Sequence, residues 1–501
     1  MATGGKKGAV AAGHELTAAA AADVLREGGN AFDAVIAGLW MACVAEPVLA
    51  SPGGGGFVMA RSVEHDRTRL FDFFVHTPRL KPDPANLEFE GIHADFGTTT
   101  QEFHIGAGAS AVPGFVPGLY ALHAALARLP MTRLAAPAVA AAKAGVEVND
   151  TQARVFQIVG PILIRSHEAR ALFAPDGALL ATGAMFRNEE LGDAIDVIAR
   201  EGPRIASEGE IAEAMLAVTG AGGALRAGDL KAYAVAERAP LSAALDGVEP
   251  LLNPPPSCGG GLIRDMLFNL ARQERPLSVA ALNLARAIDA TDRAWRSAGC
   301  DIGQFLGAAG APGKGAAVRG RGTTHISVID AAGNAAAATV SNGEGNGRVV
   351  PGCGFMINNM LGEEDINPLG FHAWPEDTRL SSMMAPSVLV ACDGTITALG
   401  SGGSNRIRTA LFQVSARLLA GAGELDEAVA APRLHIEHGH LDFEDLFEAK
   451  DRDALTEAFK DHRAWPERSM YYGGVHVAQR AAKGGFAAAG DPRRGGVALI
   501  V

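Results

Sequence analysis

Apolar positions recur at helical spacing through much of the first 300 residues and shift to strand-like runs beyond residue 322. Glu15 to Glu27 reads as a helix closed by Gly28-Gly29, and Asn30 is placed to cap a second helix running through Cys43. The loop Ser51-Pro52-Gly53-Gly54-Gly55-Gly56 leads into Phe57 to Ala60, a predicted strand, and its four glycines allow close backbone approach. Further helices are predicted over Glu189 to Arg200, after Asn188, and beyond a capping-box pattern of Ser207 and Glu210. Pro254-Pro255-Pro256-Ser257-Cys258 breaks the chain ahead of another helix, and Leu277 to Ala298 is predicted helical. Residues 307–322, rich in Gly and Ala with scattered Lys and Arg, read as an exposed, mobile connection.

The segment beyond it is β-rich. His325 to Ile329 and Ala335 to Val340 flank Asp330-Ala331-Ala332-Gly333-Asn334, which predicts a hairpin. Ser387 to Val390 and Thr395 to Leu399 predict a second hairpin around Cys392-Asp393-Gly394. It runs into Gly400-Ser401-Gly402-Gly403-Ser404-Asn405, after which Ile407, Leu411, Val414 and Leu418 fall at helical spacing. A glycine turn from strand into helix aims backbone N–H groups at one spot, where an oxyanion or carboxylate can sit; a tight turn without a ligand fits the same residues.

Composition narrows the class. The chain has 501 residues, 48% of them hydrophobic, 20% charged and 6% aromatic, which describes a globular protein with room for about three units. A net charge of −12 argues against nucleic acid or an anionic membrane as the main partner. The five cysteines, Cys43, Cys258, Cys300, Cys353 and Cys392, form no CxxC pair and read as reduced thiols. After Lys6-Lys7 the apolar run is too short for a signal peptide, and Ala34 to Ala45 is too short to span a bilayer, so a cytoplasmic location is expected. The sequence carries no phosphate-binding GxxxxGK[ST] pattern, because Gly313-Lys314 is followed by glycine, and no cofactor is called for. His435-Ile436-Glu437-His438-Gly439-His440 offers three imidazoles to a metal, but nothing else supplies an open metal site. A solvated loop is therefore the preferred reading there, and no metal is expected.

The candidate chemistry lies at Gly322-Thr323-Thr324-His325. Cleavage of the Gly322–Thr323 bond would give Thr323 a free α-amine beside its own hydroxyl, uniting nucleophile and base in one residue. Taken alone, these four residues are a weak signal, and an ordinary strand rich in threonine is the preferred reading of them.

The order of motifs resembles one family. Glu27-Gly28-Gly29-Asn30-Ala31-Phe32-Asp33-Ala34, the Gly53–Gly56 loop, Val112-Pro113-Gly114, Gly228-Asp229-Leu230 and Pro254-Pro255-Pro256-Ser257 stand ahead of Gly322-Thr323-Thr324-His325. Leu380-Ser381-Ser382-Met383, Gly402-Gly403-Ser404 and Asp491-Pro492-Arg493-Arg494 follow it. In this order they resemble the γ-glutamyltransferases, which are N-terminal-nucleophile amide hydrolases. The resemblance implies an α+β fold, a four-layer αββα sandwich, made as one precursor that splits itself into a large subunit, 1–322, and a small subunit, 323–501. It implies Thr323 as nucleophile, with Gly402 and Gly403 as the oxyanion-hole pair and Ser341 in the place of a second threonine that holds the nucleophile's amine. It further implies Ser381 and Ser382 on a substrate carboxylate, and Glu363 where an aspartate normally binds the substrate amino group. Asn342 lies one residue out of register with a substrate-binding asparagine.

Other positions depart from the family pattern. Its Asp-Phe-Arg-Glu segment reads Asp72-Phe73-Phe74-Val75 here, and Lys81 to Asp83 occupy the place of the arginine that grips the substrate carboxylate. Arg79 can stand in for that arginine only if the loop is rearranged. Met360 replaces a polar residue, and the stretch from Glu363 to Ser381 is short, implying a reduced lid. The expected activity is hydrolysis or transfer of γ-glutamyl amides such as glutathione-type compounds. The alternative is hydrolysis of another small carboxylate-bearing amide, as in oxamate amidohydrolase relatives. A non-catalytic binding member would need a disabled Thr323, yet Thr323, Gly402 and Gly403 are all present. The expected partners are a small-molecule amide and the two segments of the same precursor, with a homodimer of processed heterodimers compatible with the sequence.

Overall fold

The computed structural model describes residues 6–95, 100–307, 322–367 and 369–501. Residues 308–321 of the predicted connection lie outside them. Two antiparallel sheets stack face to face. The first runs, in spatial order, Val497–Ile500, Gly8–Ala12, Thr323–Asp330, Ala335–Ser341, Gly55–Ser62, Arg67–Phe73 and Ala236–Arg238. The second runs Phe486–Ala489, Gly474–Arg480, Ile396–Gly402, Ser387–Ala391, Val248–Leu252 and Leu241–Ser242.

Helices Glu15–Arg26 and Ala31–Ala45 cover the outer face of the first sheet, and Gly259–Gln273 and Arg406–Leu419 cover the second. This is the αββα order. Strands from both sides of residue 322 contribute to both sheets, so the 1–322 and 323–501 segments share one interleaved core rather than forming separate units.

The central strands are buried on both faces, which explains their apolar and small-residue content. Ile326 and Val328 pack beneath the helices, while Ile329 packs between the sheets. Ala335 to Ala338 alternate between the same two layers, and their short side chains let both layers approach. The apolar run after Asn30 forms a helix that is buried along its whole length. Its start is fixed by a reciprocal cap in which Asn30 Oδ1 accepts from the Phe32 and Asp33 N–H groups and the Asp33 carboxylate accepts from the Asn30 N–H.

One predicted cap is not formed. Ser207 lies inside a short helix, Ile205–Glu208, and donates its hydroxyl to the Arg204 carbonyl. Gly209, in extended backbone, breaks that helix and starts the next at Glu210, so Ser207 cannot cap it. Among the described residues, no helix is long and apolar enough to cross a membrane.

Candidate active site

Strand alternation decides what each residue after Gly322 faces. Thr324 points to the helix layer, where its hydroxyl donates to Glu46 at 2.5 Å. His325 points between the sheets, against Gly400 of the opposing strand. Thr323 shares the face of His325, at the end of the strand, and is buried with 7% of its surface exposed.

Thr323 stands opposite Ser341, the last residue of the neighbouring strand. Ser341 Oγ donates to the Gly322 carbonyl at 2.5 Å and accepts from the Gly343 N–H at 3.1 Å. The Gly322 N–H donates to a Glu344 carboxylate oxygen at 3.2 Å, and the Thr323 carbonyl accepts from Arg494 Nη1 at 3.2 Å. The peptide bond between Gly322 and Thr323 is thereby held on both sides. Only glycine fits at 322, because a Cβ there would lie 1.4 Å from the Gly343 carbonyl oxygen.

Gly402 ends the facing strand. A Cβ on it would lie 2.2 Å from the Thr323 carbonyl oxygen, so the absence of a side chain is what lets the two strand ends meet. Gly403 follows at φ +133° and Ser404 at φ +52°, and the helix Arg406–Leu419 begins immediately after. The predicted strand-to-helix glycine turn therefore lies beside Thr323.

A cavity of about 40 Å³ opens at Thr323 and is lined by Gly322, Ser341, Glu363, Ser382 and Ser404, with Phe74 and Met360 among its apolar walls. Of the residues predicted to bind substrate, Glu363 and Ser382 reach this cavity. Ser381 does not line it; its hydroxyl lies 3.0 Å from the Cys258 thiol. Asn342 is turned away, with its Nδ2 donating to the Met356 carbonyl at 3.4 Å beside a different cavity. Arg79 lines a third cavity of about 240 Å³ with His76, Asp229 and Asp377, and its Nε lies 4.0 Å from Asp377. The loop after Phe74 thus carries Arg79 away from Thr323. Arg379 is engaged by the Phe74 carbonyl, Tyr233 Oη and the Ala234 carbonyl and lies 3.5 Å from Asp72, while the guanidinium that reaches Thr323 itself is that of Arg494.

Three charged groups around Gly322, Thr323 and Thr324 were given no role by sequence reasoning. Glu344 sits in a loop with glycines at 343, 345 and 347, and Arg494 closes the Asp491–Arg494 motif. Glu46 follows the buried apolar helix, and such a charge directly after an apolar run is itself a signal of internal pairing. Burial raises the Glu46 carboxyl pKa, while hydrogen bonds from Thr324 and Thr17 and the charge of Arg494 oppose the rise. Burial lowers Arg494 to about 10, an effect reinforced by Arg406 and opposed by Asp491, Glu46 and Glu344.

His325 is held rather than free to act as a base: Nδ1 lies 2.8 Å from Thr339 Oγ1 and Nε2 lies 2.8 Å from Ser327 Oγ. Burial, with the nearby His476, holds its pKa well below the usual value, so the ring is neutral. The three imidazoles offered to a metal diverge, because the segment is a hairpin rather than a solvated loop. His435 is buried against Thr409 Oγ1 at 3.0 Å, His438 occupies the turn, and His440 Nδ1 lies 2.8 Å from Asp461. Among the described residues, no three metal-ligating side chains are gathered.

The family model described as Gamma-glutamyltranspeptidase matches residues 17–297 and 307–501. The chain belongs to the γ-glutamyltranspeptidase family. Among its relatives, the Acylase ACY 1 proenzyme of Pseudomonas sp. (strain V22) is 28% identical, over 90% of this chain and 86% of that one. The glutathione hydrolase proenzyme of Escherichia coli (strain K12) is also 28% identical, over 86% of this chain and 81% of that one. The cephalosporin acylase of Bacillus halodurans superposes with a TM-score of 0.82 at 22% identity, covering 99% of this chain and 96% of that one. The chain thus has the fold of the N-terminal-nucleophile hydrolases in this family and is one of its enzymes.

Proposed function

We propose that the chain is a proenzyme that cleaves its own Gly322–Thr323 bond and then uses Thr323 to hydrolyse or transfer the acyl group of γ-glutamyl amides. The observation that carries this reading is the Ser341 hydroxyl on the Gly322 carbonyl, with the Gly402 turn packed beside Thr323. In the first step Thr323 Oγ attacks the Gly322 carbonyl carbon, the carbon–nitrogen bond breaks, and the hydroxyl proton ends on the Thr323 nitrogen. Water then hydrolyses the ester, leaving a Gly322 carboxylate and a Thr323 bearing both its hydroxyl and a new amine.

In turnover the amine takes the hydroxyl proton as Oγ attacks a substrate amide. The Gly402 and Gly403 N–H groups stabilise the oxyanion, and water or an acceptor amine resolves the acyl-Thr323 ester. Ser382, with Ser381 behind it, and Glu363 are the groups to hold the carboxylate and the amine of a γ-glutamyl unit. The names of the relatives, a glutathione hydrolase proenzyme and an acylase proenzyme, support an amide substrate and a cleaved precursor.

A second reading is hydrolysis of another small carboxylate-bearing amide such as oxamate. It is favoured by Arg79 lying in a separate cavity and by the Ser381 hydroxyl facing Cys258, which leave fewer groups for a γ-glutamyl carboxylate. A denaturing gel tests the first half: two fragments divided before Thr323 are expected, with Thr323→Ala remaining one chain. Incubation with a γ-glutamyl anilide and with oxamate tests the second half, by release of aniline or ammonia. Ammonia from oxamate without aniline selects the second reading.

A further inference from the structure

We propose that Glu344 is a positioning residue for self-cleavage, an inference that rests on the proposed maturation at Gly322–Thr323. Its carboxylate holds the Gly322 N–H so that the scissile carbonyl stays on Ser341 and within reach of the Thr323 hydroxyl. Steric exclusion by the Gly343 carbonyl makes glycine obligatory at 322, and glycine is the residue with the most backbone freedom to lose. With no side chain to pack, Gly322 can be oriented only through its own N–H and carbonyl. Ser341 takes the carbonyl, and Glu344 takes the N–H at 3.2 Å.

Glu344 is itself fixed. It is 2% exposed, and its backbone N–H donates to Asn359 Oδ1 at 2.9 Å. Asn359 is fully buried, and its Nδ2 donates to the His104 carbonyl at 3.3 Å. A strut thus runs from the 1–322 segment through Asn359 to the carboxylate that grips the last residue of that same segment. A buried carboxylate is costly unless donors reach it, and a charged acceptor makes a hydrogen bond about twice as strong as a neutral one. On the other side of the bond, Arg494 holds the Thr323 carbonyl. The peptide to be cleaved is gripped by an anion before it and a cation after it, which restricts rotation about Gly322 where freedom would otherwise be largest.

The experiment follows maturation of newly made full-length chain, by pulse-labelled cell-free synthesis and a denaturing gel, for wild type, Glu344→Ala, Glu344→Gln and Glu344→Asp. Misplacing a reacting group by about an ångström slows a step by on the order of 100-fold, so Glu344→Ala is expected to lengthen the maturation half-time by about 10- to 100-fold. Glu344→Gln keeps an acceptor oxygen at the same reach and is expected to recover most of that loss. Glu344→Asp, one methylene short, is expected to remain slow. Melting temperatures measured on the uncleavable Thr323→Ala background separate positioning from a general loss of folding. Should Glu344→Ala fail to fold, the order of the Gln and Asp variants carries the test. Maturation of Glu344→Ala at the wild-type rate, or Gln no faster than Asp, overturns the proposal. A wild-type chain that never cleaves instead removes the maturation reading, a result distinct from either.

Discussion

Ser341 Oγ donates to the carbonyl of Gly322 at 2.5 Å, across the first rung between the Thr323–Asp330 and Ala335–Ser341 strands. In the proposed self-cleavage the bond lies where negative charge develops as Thr323 attacks that carbonyl. Removing one donor from such a site typically slows the step by on the order of 100- to 1,000-fold. Ser341→Ala is therefore expected to accumulate full-length chain on a denaturing gel, whereas Ser341→Thr, which keeps the hydroxyl, matures at a rate close to that of wild type. Equal maturation of the Ala variant would remove Ser341 from the cleavage step.

Gly402 admits no side chain. Its Cβ would meet the Thr323 carbonyl oxygen at 2.2 Å and Arg494 Nη1 at 3.0 Å, so Gly402→Ala must push the strand ends apart. Overpacking of this kind costs about 1–3 kcal/mol, and the displacement of Thr323 adds a loss of catalysis on the order of 100-fold. Gly485, whose Cβ would meet nothing within 4 Å, supplies the control. Gly485→Ala is expected to leave melting temperature and amide turnover unchanged, and a Gly402→Ala variant as active and stable as that control would contradict the geometry.

The contrast between Gly402 and Arg79 shows what the sequence could and could not carry. Hydrophobic period and turn chemistry are local, so the hairpin about Gly333-Asn334, the helix capped by Asn30 and the strand running into Gly402 were legible, to within a few residues at their ends. The placing of Thr323 at a strand end beside a glycine turn was legible because each is a short motif. Arg79 was not, since the path of the loop after Phe74 depends on the contacts of Tyr233, Arg379 and Asp377, which come from distant parts of the chain. Glu46 and Glu344 were missed, and Arg494 was named only as part of a motif, for the same reason. Each becomes significant only when folding brings it to Gly322, Thr323 or Thr324 from tens to hundreds of residues away.

Glu46 joins the two sides of the proposed cleavage point. It accepts from Thr17 at 2.7 Å and from Thr324 at 2.5 Å, linking the two segments that the proposed maturation would separate. Glu46→Ala strands two buried hydroxyls, at about 1–3 kcal/mol for each unsatisfied group, whereas Glu46→Gln retains one acceptor and is expected to lose less than half as much. Denaturant unfolding of both variants on the Thr323→Ala background measures the difference, and equal stability of the two would show that the hydroxyl pairs are not what Glu46 supports.

His476 sets a sign for the dependence of stability on pH. The ring is buried beside the Asp491 loop, its Nδ1 accepts the Asp491 N–H at 3.2 Å, and burial lowers its pKa to about 4, with Asp491 opposing and Arg494 and Arg433 reinforcing the shift. Unfolded histidine titrates near 6.5. Above that pH the ring is neutral in both states and contributes no pH dependence. As the pH falls from about 6.5 to about 4, the unfolded chain takes up a proton that the folded chain refuses, and stability drops by up to about 1.4 kcal/mol per pH unit, roughly 3 kcal/mol in all. His325, His435 and His14, all lowered by burial, act in the same direction, so unfolding in mild acid should be steep. His476→Asn keeps an acceptor for the Asp491 N–H but cannot titrate. Denaturant midpoints of the Thr323→Ala protein, with and without it, are expected to diverge between pH 6.5 and 4.5, the Asn variant having the shallower slope; parallel slopes would mean that His476 takes up its proton equally well in the folded chain.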